Sequence, residues 1–327
     1  MDRNQVKRFA VRVLVALAAF LVALLALRFA LRGLDWPALQ KQIYSLDWRW
    51  LALAVFFDVA SYAFQGLRWR LLLRGANIWQ TTRAIYAGLF VNELVPLRPG
   101  EGVRAWLAAR DLKVGLLTIV PTMVSERLMD GFWLVLALIA AIAVAPLPAN
   151  LIHAIWVVAV VVSLGLLATL YLGGRGFEFL MKVRSGLCQP MALLVSGAFL
   201  LAQGLAFWSV IRSSHLSLGL LAAFVVMIVV RIGTMIPGAP ANLGTHQFAT
   251  VVGLSLYGVP QAQAAAFSLV IFTALTVPLL LLGLCACLSA GLSWSRFRQL
   301  VSPAADLVAI GRTLPGQPPL LSVSVKE

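Results

Sequence analysis

Long apolar runs, interrupted at two proline-rich points, set the pattern of this chain. Runs long enough to span a bilayer, roughly 17–25 residues, lie at about 11–31, 50–67, 131–147, 151–172, 189–211, 217–235 and 264–290. Shorter apolar stretches near 84–97, 115–128 and 245–258 fit either crossings or partial insertions. The pattern predicts an all-α fold: a polytopic integral-membrane helical bundle with about eight crossings and re-entrant or broken helices. The stretches at 84–97 and 115–128 are expected as re-entrant elements or a tight helical pair, and one crossing is expected between Pro237 and Gly258.

The two interruptions are Asn92 to Glu101 and Met235 to Gly244, each holding Pro-x-x-Pro preceded by two apolar residues. A proline removes a backbone donor, clashes with the preceding turn and restricts the residue before it, so a helix cannot run undisturbed through either. Broken backbone within a membrane protein is tolerated where it lines a cavity. Pro96, Pro99 and Gly100, and Pro237, Pro240 and Gly244, are therefore the expected hinges or helix breaks. Their shared form also suggests an internal two-fold repeat, a design in which transporters place substrate at the repeat interface.

Composition agrees with a membrane unit. Of 327 residues, 61% are hydrophobic and 12% charged, with a mean hydropathy of +0.93. Three regions are predicted: a cytoplasmic N-terminus (1–10), a transmembrane domain (11–292), and a largely disordered cytoplasmic tail (293–327) with Pro315, Pro318 and Pro319. The apolar run from Val11 to Leu27 is longer than a signal-peptide core and has no convincing small-residue cleavage site, so it reads as an uncleaved first span. Arg3, Lys7, Arg8 and Arg12 place the N-terminus in the cytoplasm by the positive-inside rule, and Arg296 and Arg298 place the C-terminus there too.

The formal net charge is +14, and 21 of the 26 basic residues are arginine. These charges set topology and touch anionic headgroups, and the planar guanidinium also binds phosphate bidentately. They lie between spans rather than in one basic domain, which excludes nucleic acid as the expected partner. Cys188, Cys285 and Cys287 form no disulfide framework, and His153, His215 and His246 have no metal-ligand spacing. No cofactor or metal is expected, and no nucleotide-binding loop occurs.

Charged and polar residues then gather in three places. Around the first break stand Asn92, Glu93, Arg98, Glu101 and Arg104, where a helix starting after Gly100 would aim its positive end at the break. This group reads either as a phosphate site or as ordinary salt bridges in a cytoplasmic loop. Glu126, Arg127 and Asp130 follow, with the two carboxylates four residues apart on one helix face. Charges inside a span are costly and normally face the bundle interior, here as a structural ion pair or as a substrate or proton-coupling group. The third group is Arg231 with Asn242, His246 and Gln247 around the second break. Arg231 needs an aqueous cavity or an anionic partner, and Glu93, Glu126 and Asp130 are candidates. Asp58 lies alone in a span, most simply as a buried hydrogen-bonding group, while Arg68-Trp69-Arg70 reads as an interfacial anchor.

Four features together resemble the lysylphosphatidylglycerol synthase transmembrane-domain family, also called flippase-like. They are Arg68-Trp69 at the end of the second span, Pro96-x-Arg98-x-Gly100-Glu101-x-x-Arg104, Glu126-Arg127-x-x-Asp130, and the later Pro- and Gly-rich break, across roughly 10–290. The resemblance implies a lipid translocator of the bacterial inner membrane. It also implies a stand-alone member, because the aminoacyl-transferase domain that follows the membrane part in the synthases has no counterpart in this sequence. Where many relatives carry a glutamate, this chain reads Gly244-Thr245-His246-Gln247, which suits a different headgroup or an uncharged amphiphile.

Three functions compete. A translocator would take a phospholipid or other amphipathic lipid from one leaflet to the other without enzymatic chemistry. An accessory subunit would serve a hopanoid, cardiolipin or lipid-linked-sugar pathway, as a homo-oligomer or with lipid-biosynthesis enzymes. A lipid-modifying enzyme would use Glu126, Asp130 or His246 as acid or base, but it lacks a nucleophile context and a donor domain.

Overall fold

A computed structural model describes residues 21–32, 36–95, 99–144, 149–234 and 240–292. Pro96, Arg98, Pro237, the N-terminal segment 1–10 and the tail 293–327 lie outside the described residues. Among the described residues the regular structure is wholly helical. The chain forms α1 (Leu21–Ala30), α2 (Trp36–Tyr44), α3 (Trp48–Leu72), α4 (Ile78–Leu94), α5 (Gly100–Leu112) and α6 (Leu116–Val144). It continues through α7 (Ala149–Gly174), α8 (Glu178–Leu187), α9 (Pro190–Ser213), α10 (Leu220–Gly233), α11 (Thr245–Ser255) and α12 (Gln261–Ser289). By length and apolarity, α3, residues 156–174 of α7, α9 and α12 qualify as membrane spans among the described residues.

The spine is the antiparallel pair α3 and α9, which share the most extensive contact in the bundle. At one end the Asp47 amide donates to the Ser213 carbonyl at 3.1 Å, and Trp50 meets Trp208 edge-on at 5.2 Å. Asp47 also caps α3 by accepting from the Arg49 amide at 2.9 Å. The buried face of α3 runs through Ala54, Asp58, Ser61, Gln65, Arg68 and Trp69, so polar groups stud the centre of an apolar spine.

Two apolar clusters lie on either side of a polar seam. One gathers α9 to α12 with parts of α3 and α6 around Phe207, Met227, Leu254, Phe267 and Ile271. The other packs α4, α5 and the end of α12 around Trp69, Ile85, Val91 and Leu107. Small residues let these helices approach closely, as is usual in membrane bundles. A Cβ on Gly283 would lie 2.6 Å from Phe90 Cβ, and one on Gly204 would collide with the Phe224 ring at 2.1 Å.

At the first break, α4 ends at Val95 with extended backbone and α5 begins at Gly100. A capping box between Asn77 and Gln80 fixes the start of α4. The two helices then fold into a hairpin whose backbones touch: a Cβ on Gly100 would stand 1.9 Å from the Gly88 carbonyl oxygen. The Gly100 amide, one of the unsatisfied donors at the start of α5, donates to Asn92 Oδ1 at 2.7 Å.

The expected division between a partial insertion at 115–128 and a span at 131–147 is corrected. Residues 116–144 form α6, a single helix of 29 residues that contains Pro121. Its charged middle does not end it, because Glu and Arg are good helix formers, and partners on α3 and α5 offset the cost of burying Glu126 and Asp130. Ser125 holds α6 to α8, its hydroxyl lying 2.9 Å from the Pro121 carbonyl and 3.0 Å from the Val183 carbonyl.

Among its described residues the second break holds a 3-10 turn, Pro240–Asn242, with Ala241 and Asn242 in the left-handed region. Gly244 follows at φ 89°, and a Cβ there would meet the Ala23 carbonyl oxygen of α1 at 2.0 Å, so both conformation and space require glycine.

Candidate functional site

The charged side chains of α3, α5 and α6 close into a ring of ion pairs. Arg68 contributes the fully buried member: its Nε donates to Glu126 Oε1 at 3.1 Å, and its Nη1 donates to Asp130 Oδ1 and, at 3.0 Å, to Ser196 Oγ of α9. Glu126, 1% exposed, uses its other oxygen to accept from Arg104 Nη2. Arg104 reaches Glu101 at 3.8 Å, Glu101 accepts from Arg127, and Arg127 returns to Asp130 at 3.6 Å. The inner arc is buried, whereas Arg127 and Glu101 are 55% and 42% exposed.

Helix geometry puts these groups together. Glu126 and Asp130 are one turn apart on α6 and flank Arg68, so both can serve one guanidinium. Glu101 and Arg104 sit on the first turns of α5, which the Gly88–Gly100 contact presses against α4. The Arg104 guanidinium lies 3.8 Å from the Trp69 ring centroid, and Trp69 is fixed by its Nε1 donating to Thr122 Oγ1 at 3.0 Å.

Beside the ring opens a cavity of about 440 Å³ bounded by α3, α4, α5, α6, α9 and α10. Its charged lining is Arg104, Arg127, Arg231 and Glu101, three guanidiniums against one carboxylate. Tyr62, Gln65, Asn92 and Gln203 add neutral hydrogen-bonding groups, and Ile85, Leu89 and Phe199 add apolar wall. Such a mixture suits an amphiphile with an anionic group better than an inorganic ion alone.

Arg231 differs from the ring arginines. Sequence reasoning offered it Glu93, Glu126 or Asp130, but its Nη1 donates to Gln203 Oε1 at 2.6 Å, and no ion pair among the described residues includes it. The guanidinium also lies 5.2 Å from the Phe199 centroid, while Arg68 lies 5.6 Å from the same ring. A cavity-facing arginine held by a neutral amide and an aromatic face keeps its charge available to an anion.

The structure thus brings Asn92, Glu101, Arg104, Arg127 and Arg231 to the cavity, with Glu126 and Asp130 directly behind it. Glu93 sits on α4 and acts electrostatically on Tyr62. The second-break residues go elsewhere. Gln247 is fully buried and accepts from the Gly244 amide at 2.7 Å, closing the start of α11. Asn242 accepts from the Thr245 hydroxyl through its carbonyl at 2.9 Å, and the His246 ring packs against Phe272. The expectation that Arg68 and Trp69 anchor the chain at the interface is corrected: both are completely buried, and of that triplet Arg70 is the exposed member. Tyr62, Gln65, Gln203 and Phe199 were not singled out from the sequence. Gln65 and Gln203 carried a signal there, as amides set deep in apolar runs.

Among known proteins, the family model described as the lysylphosphatidylglycerol synthase TM region matches residues 13–283. No curated protein and no solved structure matches the chain.

Proposed function

Because the chain belongs to the lysylphosphatidylglycerol synthase TM-region family, we propose that it is a lipid translocator, passing an amphipathic lipid between leaflets with its headgroup in the arginine-lined cavity. The carrying observation is the pairing of Arg231, which forms no direct ion pair among the described residues, with a cavity that also exposes Arg104 and Arg127. In this reading the lipid leaves chemically unchanged, and the protein sits in the bacterial inner membrane with both termini in the cytoplasm. The headgroup enters beside the α4–α5 break, meets Arg231 and Arg104, and displaces Glu101 from Arg127 at the exposed arc of the ring.

Reconstituted protein is expected to accelerate leaflet exchange of a labelled anionic phospholipid in liposomes. Arg231→Gln removes one charge-assisted contact, worth about 1.5–3 kcal/mol, and is expected to slow exchange by about 10- to 100-fold. Its melting temperature should change little, because Gln203 retains a hydrogen-bonding neighbour. Absence of acceleration for every lipid in a panel, with correctly inserted protein, would overturn the reading. If lipid movement survived neutralisation of Arg104, Arg127 and Arg231 together, the arginine-lined cavity would not be the headgroup site.

A further inference from the structure

A second polar cluster lies one turn along α3 from the cavity. Asp58 is 5% exposed in the middle of a span, and no hydrogen bond or ion pair reaches its carboxyl among the described residues. The nearby Ser61 hydroxyl is engaged elsewhere, donating to the Asp58 main-chain carbonyl at 2.7 Å. Tyr62, one turn on, lines the cavity, and its ring lies 5.6 Å from that of Tyr86 on α4. The Tyr86 hydroxyl is itself buried without a hydrogen-bond partner among the described residues.

The charged neighbourhood explains what this cluster can hold. Tyr62 stands within electrostatic reach of Asp58, Tyr86 and Glu93 and, on the cationic side, Arg231. Of the other helices against α3, α6 spends Glu126 and Asp130 in the ion-pair ring, α9 carries only Arg212 near its far end, and α12 carries only Cys285 and Cys287. On α4, Arg83 is spent on Asp111, so among the described residues no cation bonds to Asp58. A carboxylate so placed is costly in a bilayer interior, and binding a proton removes the charge. A metal cation is a poor occupant, since hard cations gather about six oxygen ligands and this cluster offers one carboxyl and two phenols.

We infer that Asp58 is a proton-binding site that exchanges with the cavity through the Tyr62 hydroxyl. When side-chain rotation brings the Tyr62 oxygen to the Asp58 carboxyl, the proton passes to that oxygen while Tyr62 releases its own proton to cavity water, so charge and atoms balance. The site stands on the geometry around Asp58, whereas its coupling to lipid movement rests on the translocation reading above.

Infrared difference spectroscopy on the full-length protein in phospholipid nanodiscs tests the site without any transport assay. Raising the pH from mildly acidic to alkaline is expected to remove a protonated-carboxyl band that shifts in D2O and is missing from Asp58→Asn. Tyr62→Phe is expected to keep that band and slow its hydrogen–deuterium exchange several-fold, which a merely structural tyrosine would not do. A titration identical in the wild type and Asp58→Asn would overturn the site, as would a titration set by sodium at constant ionic strength. In liposomes, lipid exchange should depend on pH in the wild type and lose that dependence in Asp58→Asn. A titrating band without lipid movement would uphold the site and count against translocation alone, whereas equal pH dependence in both proteins would overturn the coupling.

Discussion

Glu126→Ala should destabilise the bundle by about 3–5 kcal/mol, the usual result of removing one partner from a buried ion pair. The carboxylate serves two guanidiniums at once, Arg68 and Arg104, and all three groups are at most 4% exposed. Arg68 would keep Asp130 and Ser196, but Arg104 would keep only Glu101 at 3.8 Å and the Trp69 face. The loss should appear as a large drop in melting temperature in detergent or nanodiscs. Replacing both members of the inner pair with apolar residues, Glu126→Leu with Arg104→Met, should recover much of it, because a buried ion pair exchanged for packed hydrocarbon is often neutral. An unchanged melting temperature for Glu126→Ala would show that the carboxylate is not bonded as described.

The second large effect is expected at the α4–α5 hairpin. Gly100→Val places a branched side chain where even a Cβ would stand 1.9 Å from the Gly88 carbonyl and 2.6 Å from Asn92 Oδ1. Overpacking typically costs about 1–3 kcal/mol, and this case belongs at the upper end because the obstacle is backbone. The helices must separate, which breaks the bond from the Gly100 amide to Asn92 and moves Glu101 and Arg104 away from α6. Lipid exchange should fall to background while much of the helical signal survives. Gly102→Val is the matched control: a Cβ there has no heavy atom within 4 Å, so stability and exchange should stay near wild type.

Much of the site could be read from the sequence because charge is costly in apolar surroundings. Glu126, Arg127 and Asp130 could be expected to face inward; Glu126 and Asp130 do, whereas Arg127 stands at the exposed side of the group that Glu101 and Arg104 complete. The partners were harder to read. Arg231 needed only something polar, and a glutamine 28 positions earlier supplies it, which no local spacing encodes. Arg68 looked interfacial because it closes an apolar run, yet the middle of α6 and the first turns of α9 cover the end of α3 and bury it. The second break misled in a different way: a backbone forced into left-handed turns consumes its own polar side chains, and Gln247 answers the Gly244 amide instead of a ligand. The helix count along 116–144 failed for a different reason: charge inside an apolar run raises the cost of insertion but does not interrupt a helix, since Glu and Arg are good helix formers.

The closed arrangement of Arg68, Glu126, Arg104, Glu101, Arg127 and Asp130 means that any two of the six are joined by two separate routes. Cutting one link leaves a connected line, while cutting one on each arc leaves two fragments. A single-position scan of stability will therefore score Glu101 and Arg127 as dispensable. Only pairwise scanning across opposite arcs, such as Glu101→Gln with Asp130→Asn, will reveal the redundancy, as a joint loss greater than the sum of the separate ones.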